Sequence, residues 1–165
     1  MKVMLLGNAG AGKSSLAKQL LSEQSAVCLS LDDVAFDGSI ERRPLMDSIA
    51  DVQQFMERHS HWIIEGCYAD ILEPLVSHCE TLIFLNPGVE ACVRHCRARP
   101  WEPDKFATPA EQADHLENLI NWVRLYETRS DEYGLARHRA LFDSFAGQKI
   151  ELTDPECYQS LISIW

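Results

Sequence analysis

At 165 residues and 46% hydrophobic composition, the chain has the length of one domain and enough apolar material for a core without disulfides or a structural metal. A formal net charge of -10 argues against a general electrostatic grip on DNA or RNA, which needs many cations facing the phosphates. No apolar run is long enough to span a bilayer, so no membrane partner is expected. The apolar opening stretch is also too short for a signal peptide and lacks a small-residue cleavage site. The expected compartment is cytoplasmic, where the six cysteines stay reduced.

In chain order, the first strand is Lys2 to Leu6. A glycine-rich turn follows, then a helix over Lys13 to Glu23 whose apolar face is Leu16, Leu20 and Leu21. A second strand lies near Ala26 to Ser30, and the polar segment Asp37 to Pro44 reads as a loop. Leu45, Ile49, Val52 and Met56 recur at helical spacing. Trp62-Ile63-Ile64 is a short strand buried on both faces. Ala69 to Val76 suggests a brief helix with Pro74 inside it, and Thr81 to Leu85 a fourth strand. Asn86 and Pro87 read as the N-cap and first turn of the next helix, with Val89, Cys92, Val93 and Cys96 as its inner stripe. The segment Arg99 to Ala107, with two prolines, is an excursion. Thr108-Pro109-Ala110-Glu111 is a capping box for a helix that buries Leu116, Leu119, Ile120 and Val123. Leu135 to Phe145 predicts a further helix and Gln148 to Leu152 a last strand; Asp154-Pro155 caps a short terminal helix. Strands alternating with helices predict an α/β protein with a mostly parallel sheet.

The strongest chemical signal is Gly7-Asn8-Ala9-Gly10-Ala11-Gly12-Lys13-Ser14, which fits G-x-x-x-x-G-K-[ST] between a strand and a helix. Glycines let backbone N–H groups aim at one point, and the helix adds the positive end of its dipole. Residues Gly7 to Ser15 are therefore the expected nucleotide-binding stretch. Lys13 would reach the outer phosphates, and the Ser14 hydroxyl would bind Mg²⁺.

Parallel sheets bind ligands at the carboxyl ends of their strands, which selects the remaining candidates. Asp32 and Asp33 end the second strand and suit acceptor binding or proton abstraction. Glu65 ends the third and could hold a water on Mg²⁺ or help bind the acceptor. Arg94, Arg97 and Arg99 close the helix after the fourth strand, where guanidinium groups would neutralise charge developing on a transferring phosphoryl group. Arg42 and Arg43 are candidates for holding an anionic acceptor. Cys92 and Cys96, with His95 beside them, are read as small residues on a buried helix face rather than zinc ligands. His59, His61 and His115 have no metal-like spacing. Trp62 and Trp122 suggest packing, while Trp101 lies in the excursion beside Arg99.

The sequence resembles the adenylate-kinase-like branch of P-loop proteins. That branch includes nucleoside monophosphate kinases, shikimate and gluconate kinases, and small bacterial proteins labelled DNA topology modulation proteins. The resemblance rests on Gly7–Ser14, Leu31-Asp32-Asp33, Trp62 to Tyr68, Ile83 to Pro87, Arg94–Arg99 and the helix around Trp122. It implies a three-layer P-loop NTPase fold, a five-stranded parallel sheet in the order 2-3-1-4-5 flanked by helices. It also implies an acceptor-binding region at about 34–60 and a lid at about 97–109. Glu65-Gly66-Cys67-Tyr68 stands where nucleotide kinases carry Asp-Gly-Phe-Pro-Arg, and the shikimate kinase glycine triplet is missing. No Asn-Lys-x-Asp guanine-reading motif is present, which favours ATP. The expected function is an ATP-dependent, Mg²⁺-assisted small-molecule kinase acting on an unidentified hydroxyl or phosphate acceptor. The alternative is a nucleotide-binding regulatory protein or slow ATPase.

Overall fold

The computed structural model describes residues 1–23 and 25–162. Its sheet comprises β1 (Lys2–Gly7), β2 (Val27–Ser30), β3 (Trp62–Gly66), β4 (Thr81–Leu85) and β5 (Gln148–Leu152), in the order β2-β3-β1-β4-β5. Every neighbouring pair is parallel. The helices are α1 (Lys13–Glu23), α2 (Asp32–Ala35), α3 (Leu45–Arg58), α4 (Ala69–Leu72), α5 (Val89–Arg97), α6 (Pro109–Arg124), α7 (Leu135–Ser144) and α8 (Tyr158–Ile162). Single 3₁₀ turns occur at Val76–His78 and Pro155–Cys157.

Side chains alternate across a strand, so each central strand feeds two cores. Met4, Leu6, Trp62, Ile64, Leu82 and Phe84 face a layer built from α3, α4 and α7, through Ile49, Val52, Ile71, Leu72, Leu141 and Phe142. Val3, Leu5, Ile63, Ile83 and Leu85 face α1, α5, α6 and α8, through Leu16, Leu20, Cys92, Val93, Cys96, Ile120, Val123 and Leu161. The result is a three-layer sandwich. No described helix is long and apolar enough to cross a membrane.

Three local readings change. Asn86 does not cap the helix after β4. Its N–H donates to the Leu152 carbonyl, extending the β4–β5 ladder, and its amide donates to Glu151. Gly88, at φ 91°, then turns the chain into α5 without a side-chain cap. The helix expected over Ala69 to Val76 stops at Leu72. Pro74 has no N–H to continue it, and a tight turn leads to the 3₁₀ turn at Val76–His78. Finally, Asp32 opens a four-residue helix, α2, where the sequence suggested only a strand end.

The capping box is present in a shifted form. Thr108 Oγ1 accepts from the Glu111 N–H at 3.1 Å, but the Glu111 carboxylate accepts from Ala107, one residue upstream of the usual partner. Replacing Thr108 by Ala should cost about 1 kcal/mol, measured as a lower urea midpoint with unchanged slope; an unchanged midpoint would show that the cap contributes nothing.

Candidate functional site

The strand order reverses at β1, which places a crevice where β1 and β3 end together. Leu6 lies opposite Gly66, Gly7 opposite Leu85, and Ser30 opposite Glu65. The loops leaving β1, β2, β3 and β4 therefore open on one edge of the sheet. The turn from Gly7 to α1 sits at the centre of that edge.

In that turn the Asn8, Gly10 and Ala11 carbonyls have protein partners. The Asn8 carbonyl accepts from the Ala11 N–H and from Lys13 Nζ at 2.8 Å. The Gly10 carbonyl meets His95 Nδ1 at 2.7 Å, and the Ala11 carbonyl accepts from the Tyr158 hydroxyl at 3.1 Å. The Asn8 side chain bridges outward to the Val123 carbonyl while accepting from the Ala9 N–H. The first-turn N–H groups of α1 have no carbonyl inside the helix to bond. They stand at the helix's positive end, and Lys13 joins them there, 8% exposed.

A cleft of about 900 Å³ opens over this turn. Its floor is Gly10, Gly12, Lys13, Ser14 and Ser15, with Asp32 at its wall. Arg99 and Lys105 line it from the segment between α5 and α6, Glu156 from the 3₁₀ turn at Pro155–Cys157, and Tyr158 and Gln159 from the start of α8. The Arg99 segment is pinned to α6 by one carboxamide: Gln112 donates to the Pro100 carbonyl and accepts from the Glu102 N–H. Trp101 is 44% exposed and donates to the Phe106 carbonyl within the same segment.

Ser14 Oγ donates to Glu65 Oε1 at 3.0 Å, which joins α1 to the end of β3. Two hard oxygens beside the start of α1 would suit Mg²⁺, which takes few protein ligands and keeps waters and phosphate oxygens. Among the described residues, no group of three or more His, Cys, Asp or Glu could hold a metal ion by itself. Cys92 and Cys96 are buried thiols against the Gly10 turn.

The remaining sequence candidates divide. Asp32 lines the cleft and its Oδ1 accepts from the Tyr68 hydroxyl at 2.6 Å. Burial, and then the Asp32 charge, push the Tyr68 phenol well above the usual tyrosine range, so it remains a donor. Asp33, one residue on, is exposed and lies outside the cleft lining. Arg94 and Arg97 are exposed and also outside it, and Arg97 lies 3.8 Å from Glu117. Arg42 donates to Asp70, Glu132 and the Tyr133 hydroxyl, with its guanidinium over the Tyr68 and Tyr133 rings. Arg43 donates to Asp51 and to the Val34 carbonyl. Both acceptor-side arginines thus already face carboxylates.

Sequence reasoning missed Tyr68 as the partner of Asp32, His95, Lys105, Gln112 and Tyr158. It also missed His138. This ring is fully buried; Nε2 lies 2.9 Å from the Cys67 carbonyl and Nδ1 2.8 Å from the Tyr126 hydroxyl. The carbonyl can only accept, so Nε2 carries the proton and Nδ1 accepts from Tyr126. His138 thereby holds the backbone that follows Glu65 and Gly66. Burial also pushes the neighbouring Cys67 thiol up to about 11 and keeps it protonated.

No protein-family model and no curated protein matches the sequence. Among solved structures, the fold is similar to that of a sugar kinase from Janibacter sp. HTCC2649. The TM-score is 0.53 at 13% identity, covering 98% of this chain and 90% of that one. It is also similar to deoxyadenosine kinase from M. mycoides with bound dATP, with a TM-score of 0.53 at 12% identity, covering 99% of this chain and 96% of that one. At such identities the likeness concerns the fold. The fold is a three-layer α/β fold that resembles those of these two kinases, with the sheet order expected from the sequence.

His138 gives this site a pH dependence. Burial lowers its pKa to about 4 from an ordinary 6.5, so between those values the unfolded chain binds the extra proton. Stability is complete above pH 6.5 and falls as the pH drops toward 4. The expected loss between pH 7 and pH 5 is roughly 2 kcal/mol, measured by urea unfolding. The His138→Leu variant should lack this component; identical pH slopes in the two proteins would contradict the assignment.

Proposed function

We propose that the protein is an ATP-dependent kinase that transfers the γ-phosphoryl group to a small hydroxyl or phosphate acceptor. The observation that carries this reading is the convergence of Lys13, the first turn of α1 and Ser14 on one cleft that Asp32 and Arg99 also line, with buried Glu65 behind Ser14 and bonded to it. Gly7 to Ser15 would hold the phosphates through their amides, with Lys13 on the outer ones. Ser14 would bind Mg²⁺ directly and Glu65 through a water. When bound, the ion neutralises charge on the outer phosphates.

The acceptor oxygen would form the new bond to phosphorus as the bond to the ADP oxygen breaks. Its proton would pass to Asp32, held in place by the Tyr68 hydroxyl. Arg99 and Lys105 would bring positive charge to the transferring group from the segment at about 97–109, the proposed lid. Residues 34–60 are the proposed acceptor side. Asp33, Arg94 and Arg97 are candidates only if closure moves them, because they lie outside the cleft lining in this form.

A coupled ADP-release assay across nucleosides, nucleotides and small hydroxy compounds tests this reading. One acceptor should stimulate release strongly, and Lys13→Ala should lower that rate by about 100-fold or more. A second reading, a nucleotide-binding regulator or slow ATPase, draws support from the engagement of Arg42 and Arg43 by carboxylates, which leaves the acceptor side without a free arginine pair. Uniformly slow hydrolysis, indifferent to every acceptor, would favour it and overturn the kinase.

Glu65→Gln separates the metal role from the phosphate role. It should raise the Mg²⁺ concentration needed for half-maximal turnover several-fold, while Lys13→Ala should fail at any Mg²⁺ concentration. An unchanged Mg²⁺ requirement in Glu65→Gln would remove Glu65 from the metal site.

A further inference from the structure

We infer that His95 is a positioning residue for the phosphate cradle: it clamps the Gly10 carbonyl onto α5 and so keeps that oxygen out of the anion site. The inference rests on the nucleotide reading above and adds a residue to it.

Gly10 has φ 78°, a conformation that leaves its peptide free to rotate because no Cβ resists it. The turn at Gly10 is seated directly on α5. A Cβ built there would lie 2.4 Å from the Cys92 carbonyl oxygen and 2.7 Å from Cys96 Sγ. The small thiol of Cys96 permits this approach, and Cys92 meets it with its backbone carbonyl. His95, between Cys92 and Cys96 on α5, lies with Nδ1 2.7 Å from the Gly10 oxygen. A carbonyl only accepts, so Nδ1 carries the proton and donates.

The Asn8 and Ala11 carbonyls have their own partners, in Lys13 and the Ala11 N–H for Asn8 and in Tyr158 for Ala11. Gly10 is the position at which a peptide flip meets the least intrinsic resistance. A flipped peptide would turn an oxygen lone pair toward the space where phosphate oxygens are proposed to lie, replacing attraction with repulsion. His95 opposes that flip. Arg99, four residues on and just past the end of α5, lines the same cleft. The end of α5 and the segment that leaves it therefore carry both the clamp and a cation of the cleft wall.

The two ring nitrogens can be separated by substitution, because an Asn amide reproduces the position of Nδ1 and a Gln amide that of Nε2. MgATP titrations by calorimetry on His95→Ala, His95→Asn and His95→Gln, beside the parent protein, read the clamp directly. His95→Ala and His95→Gln should weaken MgATP by about tenfold or more, and His95→Asn should return to within about threefold of the parent. Thermal unfolding without nucleotide should not follow this order. Equal affinity in parent and His95→Ala, or rescue by Gln as good as by Asn, would overturn the clamp.

Nitrogen NMR of the His95 ring in the nucleotide-free protein gives a readout independent of any ligand. It should show the Nδ1-protonated tautomer; an Nε2-protonated ring would overturn the inference even if MgATP binds. Absence of MgATP binding to the folded parent protein would instead refute the nucleotide reading, while the ring tautomer would still decide the clamp.

Discussion

An anion can occupy the turn between β1 and α1 only if the turn's carbonyl oxygens face somewhere else. Each peptide carries a donor and an acceptor in fixed opposition, so amides can converge inward only when oxygens are received outward. Here the receivers are spread across the chain: His95 on α5, Tyr158 at the start of α8, and Lys13 within the turn itself. Asn8 adds a tie to the end of α6. The cradle is thus a product of tertiary structure. Eight residues specify the bend, and three distant helices hold it open.

The same helices connect the cradle to the walls of the cleft. The helix α5 that receives Gly10 leads directly into Arg99, and Gln112 fixes that segment to α6. On the opposite side, β3 delivers Glu65 to Ser14, and the chain beyond it delivers Tyr68 to Asp32. His138 secures that stretch from below through the Cys67 carbonyl. The arginines of the α2–α3 region spend their charge on neighbouring carboxylates. On the α5–α6 side Lys105 pairs with Glu102, which lines the cleft beside it, while Arg99 adds a further cation to that wall.

Short-range signals carried most of the architecture. Five strands were legible because buried parallel strands read as compact apolar runs, and the sheet order was what the family resemblance implied. Asn86 was misread because its competing partner, the β5 strand, begins 62 positions later, at Gln148. A local cap signal contains no information about such a ladder. Arg42 was legible as a cation but not as an occupied one, because Glu132 meets it only in the folded chain. His95 was noticed beside two cysteines and weighed only as a metal ligand. Its actual partner is a backbone carbonyl 85 positions away, and backbone groups leave no mark in a sequence.

The central claim is that amides at the start of α1, assisted by Lys13, form an anion site for a nucleoside triphosphate. Amide chemical-shift mapping during titration with magnesium and a non-hydrolysable ATP analogue tests it most directly. The N–H resonances of Gly10, Gly12, Lys13, Ser14 and Ser15 should move first and farthest, with Lys13→Ala suppressing the response. Resonances in this turn that stay fixed while the protein remains folded would contradict the account.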